Sequence, residues 1–271
     1  VIYGNIPIGC GLSSSSALVI SIARSICHLF NIQMKGRQLA RLCQKIENRA
    51  LGTAVGLLDQ YGIILSKKDQ FMIIDFQDES IEYIPAILND STWIVVNSQV
   101  HRELSESAYI HRVKECKEGF KVLQKKFGIS SFRDIDQPML ELLKYKSDVL
   151  YKRLCHVVAE NQRVLDMKDQ LQKGMAEKVG AILKDSHNSL RSLYEVSCEE
   201  IDYLIEISEG VDGWYGGRII GGGFGGCSLH LIADNMIEKY REYISNSFGK
   251  KYGTSPEIKG VQFPGGLSCT V

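Results

Sequence analysis

The densest chemistry in the sequence lies near the amino end, in Pro7-Ile8-Gly9-Cys10-Gly11-Leu12-Ser13-Ser14-Ser15-Ser16-Ala17-Leu18. Two glycines two apart let the backbone bend tightly and keep no Cβ between it and a ligand. Four hydroxyls follow, and then an apolar run, residues 17–23, that reads as a helix buried on most of its faces. A helix whose first turn sits under such a loop offers free N–H groups and the positive end of a dipole, an arrangement suited to phosphate. The hydroxyls add donors, and one can ligate a magnesium ion held by the same phosphates. An ordinary serine-capped helix is the plainer reading, but a cap needs one serine and this segment has four.

Two carboxylates lie within reach of that loop in sequence. Glu47 sits beside the apolar positions Leu39, Leu42, Cys43, Ile46 and Ala50, whose spacing predicts a helix over 37–51 stopped by Gly52. It faces either a site at the edge of the core or solvent. Asp59 falls in an otherwise apolar stretch, residues 52–62, with Gln60 beside it. Burying a charge is costly unless it is paired, so Asp59 is either a base or charge-orienting group, or the cap of a turn.

The elements that must position these residues follow from the pattern. Residues 61–65 and 71–76 read as a β-hairpin, with 81–84 as a further strand. Residues 92–98 read as a buried strand ending in polar residues, followed by a charged helix over about 109–124 and two or three amphipathic helices over 138–190. Ser197 and Glu200 have capping-box spacing, and Val196 with Ile201 fits a hydrophobic staple, so a helix opens there and ends by Gly210. The run Gly221-Gly-Gly-Phe-Gly-Gly226 satisfies G-x-G-x-x-G by letters, but the alternating residues after it predict a strand where a dinucleotide fingerprint requires a helix. Strand, glycine turn, strand is the reading, with bare backbone packed on another loop or a ligand. A helix over 235–248 and closing strands over 257–263 and 266–271 complete the chain, and there is no internal repeat.

Composition narrows the function class. Lysine plus arginine equals aspartate plus glutamate at 32 each, which gives no general attraction to nucleic acid or membrane. The eight cysteines, at 10, 27, 43, 116, 155, 198, 227 and 269, form no C-x-x-C pair, and the histidines share no zinc spacing with them. Reduced thiols in a soluble cytoplasmic protein are expected, with no apolar segment of bilayer length. At 271 residues the chain makes one large domain or two medium ones.

Three motifs coincide in order: P-x-G-x-G-L-S-S-S over residues 7–15, G-L-L-D-Q over 56–60 and G-G-G-F-G-G-C over 221–227. Together they resemble the GHMP family of small-molecule kinases, and within it the galactokinases. Asn97-Ser98, Tyr109, Arg112, Cys116, His156-Val157-Val158, Ser186-His187, Ser189-Leu190-Arg191 and Tyr194 through Cys198 match further landmarks, so the resemblance runs through nearly the whole chain. It implies a two-lobed α+β fold, with residues 1–90 the remainder of the N-terminal, ATP-binding domain and 91–271 the C-terminal domain. It implies transfer of the γ-phosphoryl of ATP to the anomeric hydroxyl of a hexose, most of all galactose, with Mg²⁺ as companion ion. Gly9, Cys10, Gly11, Leu12, Ser13, Ser14 and Ser15 would hold the ATP phosphates. Ser15 and Glu47 would bind magnesium, Asp59 would act on the hydroxyl, and Gly56 and Tyr109, with Asp59, would touch the sugar. The glycine hairpin would brace the phosphate loop. Arabinose, galacturonate and N-acetylgalactosamine remain open as acceptors, and a non-catalytic sensor of ATP and galactose is the rival; such sensors tend to lose serine-loop residues that are intact here. Ser16 stands where alanine is usual, a change expected to have no effect. Nothing matches the family's N-terminal segment, with its arginine beside the catalytic aspartate and its sugar-gripping Glu-His-x-Asp, so the resemblance covers the C-terminal two-thirds of a kinase and implies that this segment is needed in cis.

Overall fold

The computed structural model describes residues 2–7, 11–51, 55–86, 88–100 and 105–268. They form two compact units, residues 1–87 with 261–271, and residues 88–260.

The first unit is three helices and a hairpin. Helix α1 (Ser14–Leu29) packs on α2 (Gly36–Leu51) and α3 (Leu58–Leu65), and β1 (Gln70–Asp75) pairs antiparallel with β2 (Ser80–Pro85). Ile20, Leu39 and Cys43 form the buried centre, with Ile63 and Ile64 of α3 against them. Residues 61–65 are therefore helical and not a strand. A short apolar run has no alternation to separate the two, and here it continues the turn that begins at Leu58, burying Gln60 and Tyr61. The hairpin forms one element later, between β1 and β2. Residues 2–7 form no strand. Helix α1 is less buried than its composition suggests: Ser16, Ile20 and Cys27 face inward while Leu18, Ile22 and Ile26 are exposed. Its partners α2 and α3 cover one stripe, and the remaining apolar positions project from the opposite side. Gly52 lies outside the described residues.

The second unit carries a four-stranded antiparallel sheet in the order β4 (Trp214–Ile219), β5 (Cys227–Ala233), β3 (Ser91–Asn97), β6 (Glu257–Gly260). The glycine-rich stretch is thus the turn of a β4–β5 hairpin, and the expected strand-turn-strand holds. Both tryptophans of the chain, Trp93 on β3 and Trp214 on β4, are buried in this sheet. Helices α4 (Ser105–Phe127), α5 (Gln137–Lys146), α6 (Asp148–Gln172) and α7 (Ala176–Ser189) follow β3. Asp136 and Ser147 cap α5 and α6 by accepting from Met139 and Leu150 N–H. Helix α7 runs into a π-helical turn, Leu190–Tyr194, closed by Glu195 in the left-handed region at φ 55°. Helix α8 (Glu199–Glu209) starts after Cys198, without the side-chain cap that the Ser197 and Glu200 spacing suggests. Ser197 instead donates to Asp202 Oδ1 at 2.5 Å, one turn into the helix. Helix α9 (Ile237–Tyr252) precedes β6.

Helix α7 lies on β4 with backbone touching backbone. A Cβ at Gly180 would come within 2.2 Å of Tyr215 O, and one at Gly216 within 2.0 Å of Gly180 O. The chain then leaves the sheet at Gly260, so residues 261–263 are not strand, and Phe263 O accepts from Asp69 N–H at 3.0 Å. Gly266 and Leu267 donate to Ser66 and Ile63 carbonyls at 2.8 and 2.9 Å. Those acceptors belong to the end of α3, so residues 266–268 have no strand to pair with and form none; residues 269–271 lie outside the described residues. No helix among the described residues is long and apolar enough to cross a membrane. Cys27, Cys43, Cys116, Cys198 and Cys227 are buried thiols and Cys155 a half-buried one, while Cys10 and Cys269 lie outside the described residues.

Candidate active site

Helix α2 explains where Glu47 points. Leu39, Cys43 and Glu47 recur every four residues and share one face, and it is this stripe that is buried, with Leu42 and Ile46 exposed. Glu47 is therefore on the inward face, 3% exposed, and the solvated alternative does not hold. Its carboxylate joins three helices. Ser15 Oγ donates to Oε1 at 2.6 Å, while Ser16 Oγ and Gln60 Nε2 both donate to Oε2 at 2.7 Å. Gln60 Nε2 also reaches Ser16 Oγ at 3.2 Å. A buried carboxylate needs compensation, and here neutral hydroxyl and amide donors supply it, with no ion pair to a cation among the described residues. Gln60 Oε1 is buried in the same place without a partner.

Around this knot sit the other expected site residues of the first unit. Gly11 has φ 72° and Ser13, at the N-cap of α1, φ 56°, so the chain enters the helix through left-handed backbone. The Ser13 hydroxyl makes no cap bond and the first turn has no acidic side chain. The leading N–H groups of a helix have no partner within it, so those of Ser14, Ser15 and Ser16 can serve an outside acceptor, while the Glu47 carboxylate is held against the same turn by the Ser15 and Ser16 hydroxyls. Leu12 and Ser14 are half-buried. Gly9 and Cys10 lie outside the described residues. Asp59 is exposed on the first turn of α3, next to the buried Gln60 that ties that turn to Glu47. Two bonds hold the approach to α3: Val55 N–H donates to Asn48 Oδ1 at 2.7 Å and Gln44 Nε2 donates to Val55 O at 2.9 Å. At Gly56 an added Cβ would meet nothing within 4 Å.

Tyr109 belongs to the second unit, exposed on α4. The landmarks spread over residues 109–198 meet there at the π-helical turn. Arg112 Nε donates to Tyr194 O at 2.8 Å, the Tyr194 ring stacks on His156 at 4.5 Å between centroids, and His156 Nδ1 lies 2.9 Å from Ser189 Oγ. Burial pushes the Tyr194 phenol up, reinforced by the neighbouring Cys116 and Tyr109. The glycine turn of the β4–β5 hairpin closes on both flanks of this region. Phe224 N–H donates to Val196 O at 2.7 Å and Gly226 N–H to Val100 O at 3.1 Å. A Cβ at Gly223 would sit 2.4 Å from Val196 O, which explains the bare backbone.

Sequence reasoning missed Gln60, Gln44 and Asn48 as supports of the site. A buried glutamine beside an exposed aspartate leaves no periodic signal, and the two α2 amides read as surface residues. Ser16, expected to be without effect, is 2% exposed and one of the donors to Glu47.

The two halves of the chain each carry a family signature. Residues 1–67 match the profile for the GHMP kinases N terminal domain and residues 167–246 that for the GHMP kinases C terminal region. The fold that holds the Glu47 knot and the glycine hairpin is that of a GHMP small-molecule kinase. The chain is 38% identical over 252 residues to a galactokinase of Thermotoga maritima, across 93% of this chain and 70% of that one. It is 36% identical over 259 residues to a galactokinase of Clostridium tetani, across 94% and 66%. The crystal structure of Lactococcus lactis galactokinase complexed with galactose superposes with a TM-score of 0.90 at 30% identity, covering 97% of this chain and 68% of that one. The chain belongs to the galactokinase family of sugar kinases, a membership that implies ATP as the phosphoryl donor.

Proposed function

We propose that this protein transfers the γ-phosphoryl of ATP to the anomeric hydroxyl of galactose. The observation that carries the reading is the Glu47 knot, which ties the N-terminus of α1, through Ser15 and Ser16, to the turn that presents Asp59. In this reading the ATP-binding work falls to the first unit, where Gly9, Cys10, Gly11, Leu12, Ser13, Ser14 and Ser15 receive the phosphates on N–H groups and hydroxyls. A buried carboxylate compensated by neutral donors alone, with a serine hydroxyl on one oxygen, fits a divalent cation of hard-oxygen preference. Ser15 and Glu47 would hold magnesium, which supplies neutralisation of the phosphate charge when bound. Asp59 accepts the proton of the sugar hydroxyl or orients it, and its position matters more than its basicity. Phosphoryl transfer through a loose transition state asks mainly for alignment and charge neutralisation. Gly56, open on the side a Cβ would occupy, and Tyr109 contact the sugar.

A coupled assay of ADP release against galactose, arabinose, galacturonate and N-acetylgalactosamine tests the reading. With the family's N-terminal segment joined in cis, turnover is expected with galactose and is expected to fall about a thousandfold or more in Asp59→Asn, while ATP affinity stays within about twofold; the 271-residue chain alone is expected to turn over little. ATP and galactose binding without ADP release would mark a sensor and overturn the assignment, and unchanged turnover in Asp59→Asn would remove Asp59 from its role.

A further inference from the structure

Helix α4 carries Tyr109, Arg112, Glu115 and Cys116 on successive turns, and the π-helical turn at Leu190–Tyr194 lies against them. A π turn leaves carbonyls without their usual helical donors, and two guanidiniums take them up. Arg153 of α6, with its side chain 2% exposed, donates from Nη1 to Leu193 O at 2.5 Å, from Nη2 to Glu195 Oε2 at 2.7 Å and from Nε to Glu115 Oε2 at 2.7 Å. Arg112 donates from Nε to Tyr194 O at 2.8 Å, and from its two Nη atoms to Glu115 Oε2 and Glu195 O at 3.3 Å each. Burial would raise the Glu115 carboxyl, but the Arg153 bond and the surrounding cations hold it below the usual carboxylate range.

The bonds are unequal in what they fix. Arg153 joins three elements at once: its own helix α6, the carboxylate on α4, and both a carbonyl and a carboxylate of the turn. A planar guanidinium can satisfy that fork, whereas an ammonium cannot. Glu115 stands six residues after Tyr109, so its attachment sets both the height and the rotation of α4 at that residue. Tyr194 completes the contact from the other side, stacked on His156 and close enough to Tyr109 to bear on its own ionisation. We propose that Arg153 is a positioning residue for sugar binding, holding Tyr109 in place through Glu115 and the Leu193–Glu195 carbonyl and carboxylate cluster. This rests on the reading that Tyr109 contacts the sugar.

A double-mutant cycle on the chain with the family's N-terminal segment joined in cis tests it, with galactose and ATP affinities measured by calorimetry at a temperature where circular dichroism shows every variant folded. Arg153→Lys keeps the charge and loses the fork, and Glu115→Gln keeps the shape and loses the charge, so neither change empties the site. Each is expected to weaken galactose about tenfold while ATP affinity stays within about twofold. In a Tyr109→Ala background, which itself weakens galactose, adding Arg153→Lys should cost less than about twofold more, because an effect transmitted through Tyr109 has nothing left to act on. An equal loss in both backgrounds, or galactose affinity unchanged in Arg153→Lys and Glu115→Gln while Tyr109→Ala weakens it, overturns the positioning role alone. Unchanged galactose affinity in Tyr109→Ala removes the Tyr109 reading, and the positioning role with it. Failure of the unaltered chain, with that segment joined in cis, to bind galactose overturns the proposed function at its root.

Discussion

The Glu47 carboxylate accepts from Ser15, Ser16 and Gln60, and each donor offsets part of the cost of keeping that charge out of water. Hydrogen bonds to charged groups contribute about 1.5–3 kcal/mol each, so Ser16→Ala should cost about 2 kcal/mol, read as a lower urea midpoint by far-ultraviolet circular dichroism. Gln60→Leu removes the other donor to Oε2 and should cost a similar amount, with the added effect of loosening the turn that bears Asp59. A Ser16→Ala chain as stable as the parent would mean that Gln60 alone satisfies that oxygen. At this scale the sequence carries the chemistry only in part. Ser15, Glu47 and Asp59 are legible because their types suit phosphate and metal work and their motifs fall in order. Ser16 and Gln60 are not, because their role is a pairing across 31 and 13 residues that no local spacing encodes.

Elements are legible where the pattern is periodic and ambiguous where it is short. The α2 stripe, the β3 strand and the β4–β5 hairpin follow from spacing and from the residues after the glycines. Residues 61–65 mislead because five apolar residues fit a strand and a helix equally, and tertiary contact with α1 and α2 decides between them. The closing strand expected over 257–263 stops at Gly260, and the one expected over 266–271 fails in its described part, 266–268, because the acceptors that Gly266 and Leu267 meet are at a helix end. The glycines divide in the same way. At Gly180 and Gly216 a Cβ would collide with backbone, so Gly180→Ala should cost about 3 kcal/mol or more by forcing α7 off β4. Gly62, inside α3, is the opposite case: an added Cβ there would meet nothing within 4 Å. Gly62→Ala should stabilise the chain by about 0.5–1 kcal/mol through helix propensity and a less flexible unfolded state. Thermal unfolding of both variants checks the pair, and an equal effect at the two sites would contradict the packing described.

Across the whole molecule, acid sensitivity follows from two buried histidines. Burial lowers His156 to about 4 and His230 to about 3. His230 accepts from Trp214 Nε1 on Nδ1 at 3.0 Å, which places its proton on Nε2, aimed at Ser228 Oγ 2.7 Å away. Both rings stay neutral in the folded chain at pH values where the unfolded chain, with a histidine pKa near 6.5, is protonated. The unfolded state then binds more protons, so stability holds above about pH 6.5 and falls as the pH drops from there towards 4. With both rings contributing, the slope approaches two protons, about 2.7 kcal/mol per pH unit. Urea midpoints at pH 7.5, 6 and 5 measure it; a His230→Gln variant that folds should flatten the slope by about half. The placement of the tryptophans has a practical corollary. With both indoles in the β3–β5–β4 sheet, tryptophan emission, excited selectively beyond the tyrosine band, is an optical reporter for residues 88–260 alone, and melting of the helices around Glu47 will be dark to it. An ellipticity change that precedes the fluorescence shift on heating would be the direct signature of the two units losing their structure one after the other.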